Sequence, residues 1–301
     1  MSKRVLVTGA SGFIGHHALH PLLTQGFEVH AVAKSPRENE NGIVWHSADL
    51  LDAEAEKLCA EVKATHLLHL VWYAVPGLYW TSPENERWVQ ATLALVEAFQ
   101  KNGGKRAVLA GTCAEYDWQN LPERIGEDTP ISPSSLYGAC KHRAHELCET
   151  FSKETGMSLA WGRIFFLYGP GEPKERLVPS VINALLEGKE ARTTSGEQIR
   201  DFLHVEDVAN AFTVLLESNA EGAVNIASGE AIAIKDLIQE IGTLLGKSDL
   251  LRLGALPSRA NEPARIVARA ERLTNEVGFH PRYSLSEGLT QTIEWWKANK
   301  A

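Results

Sequence analysis

The stretch that decides the fold lies near the start of the chain and reads Arg4-Val-Leu-Val-Thr-Gly-Ala-Ser-Gly-Phe-Ile-Gly15. A short run of apolar, β-branched residues is typical of a buried strand, and three glycines follow it at intervals of three residues. Glycine lets the backbone turn tightly, approach a pyrophosphate and pack a helix closely on a strand. The amides at the start of that helix attract phosphate groups. The stretch therefore predicts a strand-turn-helix unit that binds a dinucleotide.

The same alternation of short apolar runs and amphipathic stretches continues through the first 170 residues, which indicates βαβ units around a parallel sheet. We expect strands at residues 4–8, 28–33, 43–46, 66–71, 106–110 and 159–166. We expect helices at residues 13–25, 53–62, 84–102 and 134–155. The predicted fold class is α/β, with a doubly wound parallel sheet of the Rossmann type.

After residue 168 the regular alternation of apolar runs and amphipathic stretches ends, because turn-forming residues become frequent. We expect residues 1–168 to form a dinucleotide-binding domain, which the chain rejoins at about 200–228. Residues 169–199 and 229–301 are expected to form a smaller mixed α/β domain for the substrate.

The composition of the 301 residues excludes several classes of protein. With 44% hydrophobic and 23% charged residues, the chain is neither disordered nor fibrous. Its net charge of −8 argues against a nucleic-acid-binding face or adhesion to an anionic membrane. The four cysteines show no Cys-x-x-Cys spacing, so we expect reduced thiols in the cytoplasm. His16, His17 and His20 lack a carboxylate or thiol to complete a metal site, and no metal is expected.

The end of the second predicted strand bears on the choice of cofactor. A carboxylate there would hold the ribose hydroxyls of NAD, but the chain has Ala33 followed by Lys34, Ser35 and Arg37. Two cations and a hydroxyl favour the extra phosphate of NADP(H), while NAD(H) stays possible. Asp49, after the third strand, either accepts a hydrogen bond from the adenine amino group or caps the next helix.

A tyrosine and a lysine four residues apart, Tyr137 and Lys141, share one face of a predicted helix. A free phenol has a pKa of about 10, and a nearby cation lowers it, which makes proton exchange feasible. Thr112 follows the fifth strand, at the sheet edge where open α/β folds bind ligands. Its hydroxyl is placed to orient a substrate carbonyl.

Together these motifs resemble those of the extended short-chain dehydrogenases/reductases of the NAD-dependent epimerase/dehydratase family. The resemblance rests on residues 8–15, 112–116, 137–141, 168–171 and 200–208. It implies a catalytic set of Thr112, Tyr137 and Lys141 and, usually, a nucleotide-sugar substrate. The expected cofactor contacts are Gly9, Ser11, Gly12, Phe13, Ile14, Gly15, Lys34, Ser35, Arg37, Asp49, Leu50, Tyr137 and Lys141.

The departures from this pattern distinguish the branches of the family. Dehydratases carry an Asp-Glu pair directly after the catalytic hydroxyl, where this chain has Cys113 and Ala114. Residues 194–212 and 253–262 are similar to nucleotide-sugar 4-ketoreductases of the CDP-abequose synthase type. We therefore expect NADPH-dependent reduction of a 4-keto-6-deoxyhexose or dideoxyhexose nucleotide. An NAD-dependent 4-epimerase and a non-catalytic dinucleotide sensor remain alternatives.

The resemblance also suggests substrate contacts. Arg200 and Arg259 are candidates for the diphosphate, with ion pairing as the alternative, and Leu177 and Val178 for the nucleobase. Aromatic residues near the fourth strand either line the sugar pocket or pack in the core. The expected substrate residues are Trp72, Glu115, Phe166, Leu177, Val178, Arg200 and Arg259. Relatives usually form a homodimer through the helices near 84–102 and 134–155, and the alternative is packing within one chain.

Overall fold

The computed structural model describes residues 3–258 and 262–299. The strands are β1 (Arg4–Thr8), β2 (Glu28–Ala33), β3 (Ile43–Ser47), β4 (His66–His69), β5 (Arg106–Thr112), β6 (Ser158–Ile164), β7 (Phe166–Tyr168), β8 (Ala191–Arg192), β9 (Ile199–Arg200), β10 (Phe202–His204), β11 (Gly222–Ile226), β12 (Ile232–Ala233), β13 (Leu251–Arg252) and β14 (Arg265–Ile266). The helices are α1 (Phe13–Thr24), α2 (Ala55–Val62), α3 (Glu84–Lys101), α4 (Leu136–Thr155), α5 (Leu177–Leu186), α6 (Val205–Glu217), α7 (Ile234–Leu245) and α8 (Leu285–Ala298).

Seven parallel strands form the central sheet, in the order β3-β2-β1-β4-β5-β6-β11. The chain starts in the middle of the sheet and winds outward in both directions, which is the doubly wound arrangement. Apolar side chains of α1 and α6 cover one face. Those of α2, α3 and α4 cover the other face. The predicted fold class is confirmed, and β11 shows that the chain returns to the sheet after residue 200.

Two predicted strands end elsewhere than expected. The strand expected at 66–71 stops at His69, because its neighbour β1 ends opposite it at Thr8. The strand expected at 159–166 is divided. Its first part stays in the sheet as β6, whereas β7 pairs with β10 outside the sheet.

Helices α5, α7 and α8 enclose a separate apolar core beside the sheet. Asp201, completely buried between β9 and β10, connects the segments that follow β11 and β14. One of its oxygens accepts hydrogen bonds from the amide and hydroxyl of Ser228, and the other from the amides of Gly229 and Ala268. The domain boundaries stay a prediction. No helix in the described part of the chain combines the length and apolar character needed to cross a bilayer.

The turn between β1 and α1 brings three backbone segments into contact. Gly9 has a φ of +72°, and a Cβ placed on it would lie 2.7 Å from the Val71 amide nitrogen. A Cβ on Gly15 would lie 2.1 Å from the carbonyl oxygen of Gly9. Both clashes are with backbone atoms, so rotation of a side chain does not relieve them. Glycine at these two positions is what lets α1 begin directly against the sheet.

We expect Gly15→Ala to lower the free energy of unfolding by about 1–3 kcal/mol, because the added methyl group overfills a packed site. In an ordinary helix the same change is stabilising by up to about 1 kcal/mol, so the sign is diagnostic. Urea unfolding measures the difference. His20→Ala, on the exposed face of the same helix, is the control and should change stability by less than about 0.5 kcal/mol. A more stable Gly15→Ala protein would contradict the close contact.

Candidate active site

The start of α1 has the features of a phosphate-binding site. Gly12 is the residue before the helix, and among the described residues no side chain caps the first amides. Those amides and the positive end of the helix dipole therefore face outward at the glycine turn. The predicted loop residues, including Ser11, Phe13 and Ile14, all lie here. The turn thus fits the pyrophosphate of a dinucleotide.

The end of β2 carries the predicted basic residues. Lys34 is exposed and forms an ion pair of 2.7 Å with Asp49. The guanidinium of Arg37 stacks on the ring of Trp45, 4.9 Å from its centroid, and Ser35 is exposed beside them. Asp49 also accepts a hydrogen bond from the amide of Leu51 and so caps the short helical turn Leu50–Asp52. Of its two predicted roles, the structure shows the capping one.

A cavity of about 590 Å³ adjoins the glycine turn. It lies between the start of α1, the loop after β7 and the end of α8. Its wall includes Ser11, Gly12, Phe13, Pro170 and Trp295. The sequence patterns did not indicate that α8 reaches this site, because no motif marks it. His17 joins two parts of the wall, since its Nε2 lies 3.0 Å from the carbonyl oxygen of Pro170.

Thr112 and Tyr137 meet at the carboxyl end of β5. Thr112 is 8% exposed, and its hydroxyl oxygen accepts a hydrogen bond from the Ala114 amide. Burial raises the pKa of Tyr137 above that of a free phenol, and a hydrogen bond with Thr112 acts in the opposite direction. Tyr137 is therefore protonated at neutral pH. Cys113 is buried, which raises its pKa to about 12 and suits a role as a small apolar residue.

Lys141 lies one helical turn after Tyr137 and is only 3% exposed. Its ammonium donates a hydrogen bond of 2.7 Å to the carbonyl oxygen of Ala110. The same ammonium lies 3.9 Å from the centroid of the Trp72 ring. Burial lowers the pKa of Lys141 to about 7, because a buried charge loses its hydration. The expectation that this ammonium makes the phenol more acidic stays a prediction.

Glu115 does not line a substrate pocket, contrary to our expectation. It is completely buried, and one oxygen accepts hydrogen bonds from the Thr112 amide and the Trp161 indole. The other oxygen forms an ion pair of 2.9 Å with Arg163. The carboxylate therefore supports the backbone under Thr112. Trp161 and Arg163 are 46 and 48 residues away in sequence, so no local pattern indicated these bonds.

Arg200 and Phe166 lie together, with the guanidinium 5.3 Å from the centroid of the phenyl ring. Arg200 is 2% exposed and forms an ion pair of 2.8 Å with Glu262. The structure thus shows the ion pair that was the alternative to diphosphate binding. Arg259 lies outside the described residues.

Two further expected contacts lie in apolar cores. Val178 is 1% exposed and packs with Val181 and Ile182 on the inner face of α5, so the expected nucleobase contact is wrong for its side chain. Leu177, one residue earlier, is half-buried at the start of the helix. Leu50 is buried against the sheet. The sequence predicted that these residues lie near the site, but it did not show which face of each segment packs against the rest of the protein.

Aromatic rings surround Tyr137. Tyr79 and Trp80 contact its ring edge to face, with centroids 4.9 and 5.8 Å apart. Trp118 lies 6.0 Å from Trp80. Arg176 lies over the ring of Tyr79, 5.6 Å from its centroid. The aromatic residues after β4 therefore form a wall beside the catalytic candidate, which suits flat ligand faces.

One group of potential metal ligands lies behind Thr112. Glu115, His142 and His145 each place a ligand atom within 4.8 Å of the others. The carboxylate, however, already pairs with Arg163, and that cation opposes a second positive charge. We therefore assign no metal to this group.

The glycine turn and the residues at the edge of β5 define a class of protein. The chain is an NAD(P)-dependent enzyme of the extended short-chain dehydrogenase/reductase type. It belongs to the NAD dependent epimerase/dehydratase family, whose sequence model matches residues 5–227.

Relatives within this family differ in their reactions. UDP-glucuronic acid decarboxylase 1 of Xenopus tropicalis is 29% identical over 98% of this chain and 72% of its own. CDP-abequose synthase of Salmonella typhimurium is 25% identical over 98% of both chains. The predicted resemblance is confirmed.

Solved structures show the same fold. UDP-N-acetylglucosamine 4-epimerase from Methanobrevibacter ruminantium, in complex with UDP-N-acetylmuramic acid, has a TM-score of 0.89 at 27% identity over 99% of both chains. MoeE5, in complex with UDP-glucuronic acid and NAD, has a TM-score of 0.85 at 30% identity. It covers 98% of this chain and 99% of its own.

The lowered pKa of Lys141 predicts how stability depends on pH. Between about pH 7 and the ordinary lysine pKa of about 10.4, the unfolded chain binds a proton that the folded chain does not, so stability rises with pH. Relative to Lys141→Met, wild type should gain up to about 1.4 kcal/mol per pH unit above pH 7. Urea unfolding of the cofactor-free proteins from pH 6 to 9 measures this difference. Parallel profiles would show that Lys141 titrates normally.

Proposed function

We propose that this protein is an NADPH-dependent reductase that converts the 4-keto group of a nucleotide-linked 4-keto-6-deoxyhexose, or dideoxyhexose, to an alcohol. The observation that carries the proposal is the basic end of β2, where Ala33, Lys34 and Arg37 replace the carboxylate suited to NAD. A reduced cofactor consumed in each cycle suits net reduction. The similarity to CDP-abequose synthase supports the choice of substrate class.

The proposed chemistry assigns a role to each catalytic residue. The nicotinamide cofactor, when bound, supplies the hydride. Tyr137 donates its phenolic proton to the oxygen of the reduced ketone, and its raised pKa keeps that proton in place until then. Thr112 hydrogen-bonds to the phenol and polarises the ketone. Lys141 holds the nicotinamide ribose.

The lining of the site supports a substrate with a sugar ring and a diphosphate. Tyr79 and Trp80 offer flat faces beside Tyr137. Arg200 offers a guanidinium for the diphosphate once the partly exposed Glu262 is displaced from it. Phe166 adds an apolar ring beside Arg200, 5.3 Å from its guanidinium.

Two predictions from the sequence accompany this proposal. A homodimer would form through the outer faces of α3 and α4, which pack side by side within the chain. The cytoplasm is the expected compartment, and the four free cysteines are compatible with it.

An NAD-dependent nucleotide-sugar 4-epimerase is the second candidate. The similarity to the Methanobrevibacter ruminantium epimerase favours it, as does the NAD in the structure of MoeE5. An epimerase needs the same tyrosine and lysine. It would carry tightly held NAD through purification and interconvert two sugars without net use of cofactor.

We expect Tyr137→Phe to lower turnover about 10²- to 10⁴-fold, because the ring stays in place and only the proton donor is lost. The Kd of NADPH should stay within about threefold. NADPH consumption is followed at 340 nm with 4-keto-6-deoxyhexose nucleotides of several bases, and cofactor binding by fluorescence. Turnover close to that of wild type would remove Tyr137 from the mechanism, and silence of wild type with all substrates would count against the reductase.

We expect Arg37→Ala to raise the KM for NADPH about tenfold or more, since a charged hydrogen bond to the 2′-phosphate contributes about 1.5–3 kcal/mol. The KM for NADH should change less than about twofold. Arg192→Ala, an exposed arginine on β8, is the control and should leave both values unchanged. Equal effects on the two cofactors would mean that Arg37 does not select NADPH.

A further inference from the structure

The ammonium of Lys141 is covered by an aromatic ring from another part of the chain. Trp72, on the segment that follows β4, lies 3.9 Å from it, which is a close cation–π contact. Lys141 also hydrogen-bonds to Ala110. Trp72 therefore shields one side of the ammonium from water, and Trp161, 5.9 Å away, lies on another side.

The ring of Trp72 is itself held by α3, where it packs near Trp88 at a centroid distance of 6.3 Å and hydrogen-bonds to Asn85. Its indole nitrogen donates a hydrogen bond of 2.8 Å to the side-chain oxygen of Asn85, in the first turn of α3. Asn85 is completely buried. Trp72 is half-buried, and this bond directs its indole nitrogen toward α3 while its ring lies over Lys141.

The amide nitrogen of the Asn85 side chain binds a second segment of the chain. Its nitrogen donates hydrogen bonds of 2.7 Å to the carbonyl oxygen of Tyr79 and 2.9 Å to that of Ser82. The segment between them carries Trp80, whose ring contacts Tyr137 and whose carbonyl accepts a hydrogen bond from the Tyr137 amide at 3.2 Å. Tyr79 contacts the same phenol ring.

We propose that Asn85 is a positioning residue that holds Trp72 against Lys141 and the Tyr79–Ser82 segment against Tyr137, and so fixes both catalytic side chains from one buried amide. This inference rests on the proposed roles of Tyr137 and Lys141. Asn85 touches neither of them directly in the contacts described, and acts through the two aromatic segments.

Only an amide meets these requirements. One acceptor faces an indole N–H, and two donors face two carbonyl oxygens, so the side chain is fully used in a single orientation. A leucine of similar size would leave the Tyr79 carbonyl oxygen and the Trp72 indole N–H without these partners. The Ser82 carbonyl oxygen would keep only its bond from the backbone amide of residue 85. Both segments would then be free to move away from the catalytic pair.

The test uses Asn85→Leu and a matched control at Asn102, the residue that follows the last turn of the same helix. Asn102→Leu removes an amide that also donates to a carbonyl oxygen, that of Ala98, about 25 Å away along α3. The cofactor-free proteins are titrated from pH 5 to 10 while tryptophan emission is recorded. A change of charge next to Trp72 should give a transition near pH 7 that disappears in Lys141→Met. In Trp72→Phe the transition should become weaker, because Trp161, 5.9 Å from the ammonium, still reports it.

In Asn85→Leu we expect this transition to move upward by at least about one pH unit, because water reaches the ammonium. Turnover should fall about tenfold or more while the protein stays folded, as misplacement of catalytic groups predicts. Asn102→Leu should change neither. An unchanged transition in Asn85→Leu, or the same shift in both variants, would overturn the proposal.

If Asn85→Leu does not fold, Trp72→Phe decides the question. It keeps a ring over Lys141 but loses the N–H that Asn85 binds, so turnover should fall by about three- to tenfold. Unchanged turnover would overturn the proposal. If wild type turns over no substrate, the proposed function fails, whereas the pH titration of Asn85→Leu still decides the role of Asn85.

Discussion

The contact of Gly9 with two neighbouring backbones is the constraint on which the site depends. A Cβ on Gly15 would clash with the carbonyl oxygen of Gly9, and a Cβ on Gly9 would clash with the backbone of Val71. The first contact fixes where α1 begins and hence where its amides meet phosphate. The second contact fixes the position of Val71, just after the end of β4, and Trp72 follows Val71 directly. A single close approach thus positions both the cofactor turn and the ring over Lys141.

The buried charged side chains of the site, Glu115 and Lys141, have different surroundings. Glu115 has every oxygen engaged by N–H groups, one of them from Arg163, so its burial stabilises the backbone under Thr112. Lys141 has a carbonyl oxygen and the rings of Trp72 and Trp161 around its ammonium, and burial lowers its pKa to about 7. A group kept in so costly a position is typical of a functional site. By this difference Glu115 is a structural support of the site, whereas Lys141 belongs to its reactive part.

Much of the fold follows from local patterns in the sequence. The limits of β1 and β2 agree with the expected segments, because each is a short apolar run followed by turn-forming residues. The residues of the glycine turn and the pair Tyr137 and Lys141 were identified for the same reason. Glu115 and Val178 were misplaced, since only tertiary packing decides which way they face. Asn85 gave no signal although its partners lie 3, 6 and 13 residues before it, because the segment that carries them is irregular and shows no periodic pattern.

Because β11 comes late in the sequence, one edge of the central sheet is completed late during synthesis of the chain. β6 pairs with β5 on one side, but its other edge is unpaired until residues 222–226 have been made. Asn225, on that late strand, accepts the hydrogen bond of Tyr116, which in turn binds Arg163 behind Glu115. A nascent chain that has already formed the glycine turn therefore still lacks the last support of Thr112. The cofactor half can be built on the ribosome well before the catalytic edge becomes rigid.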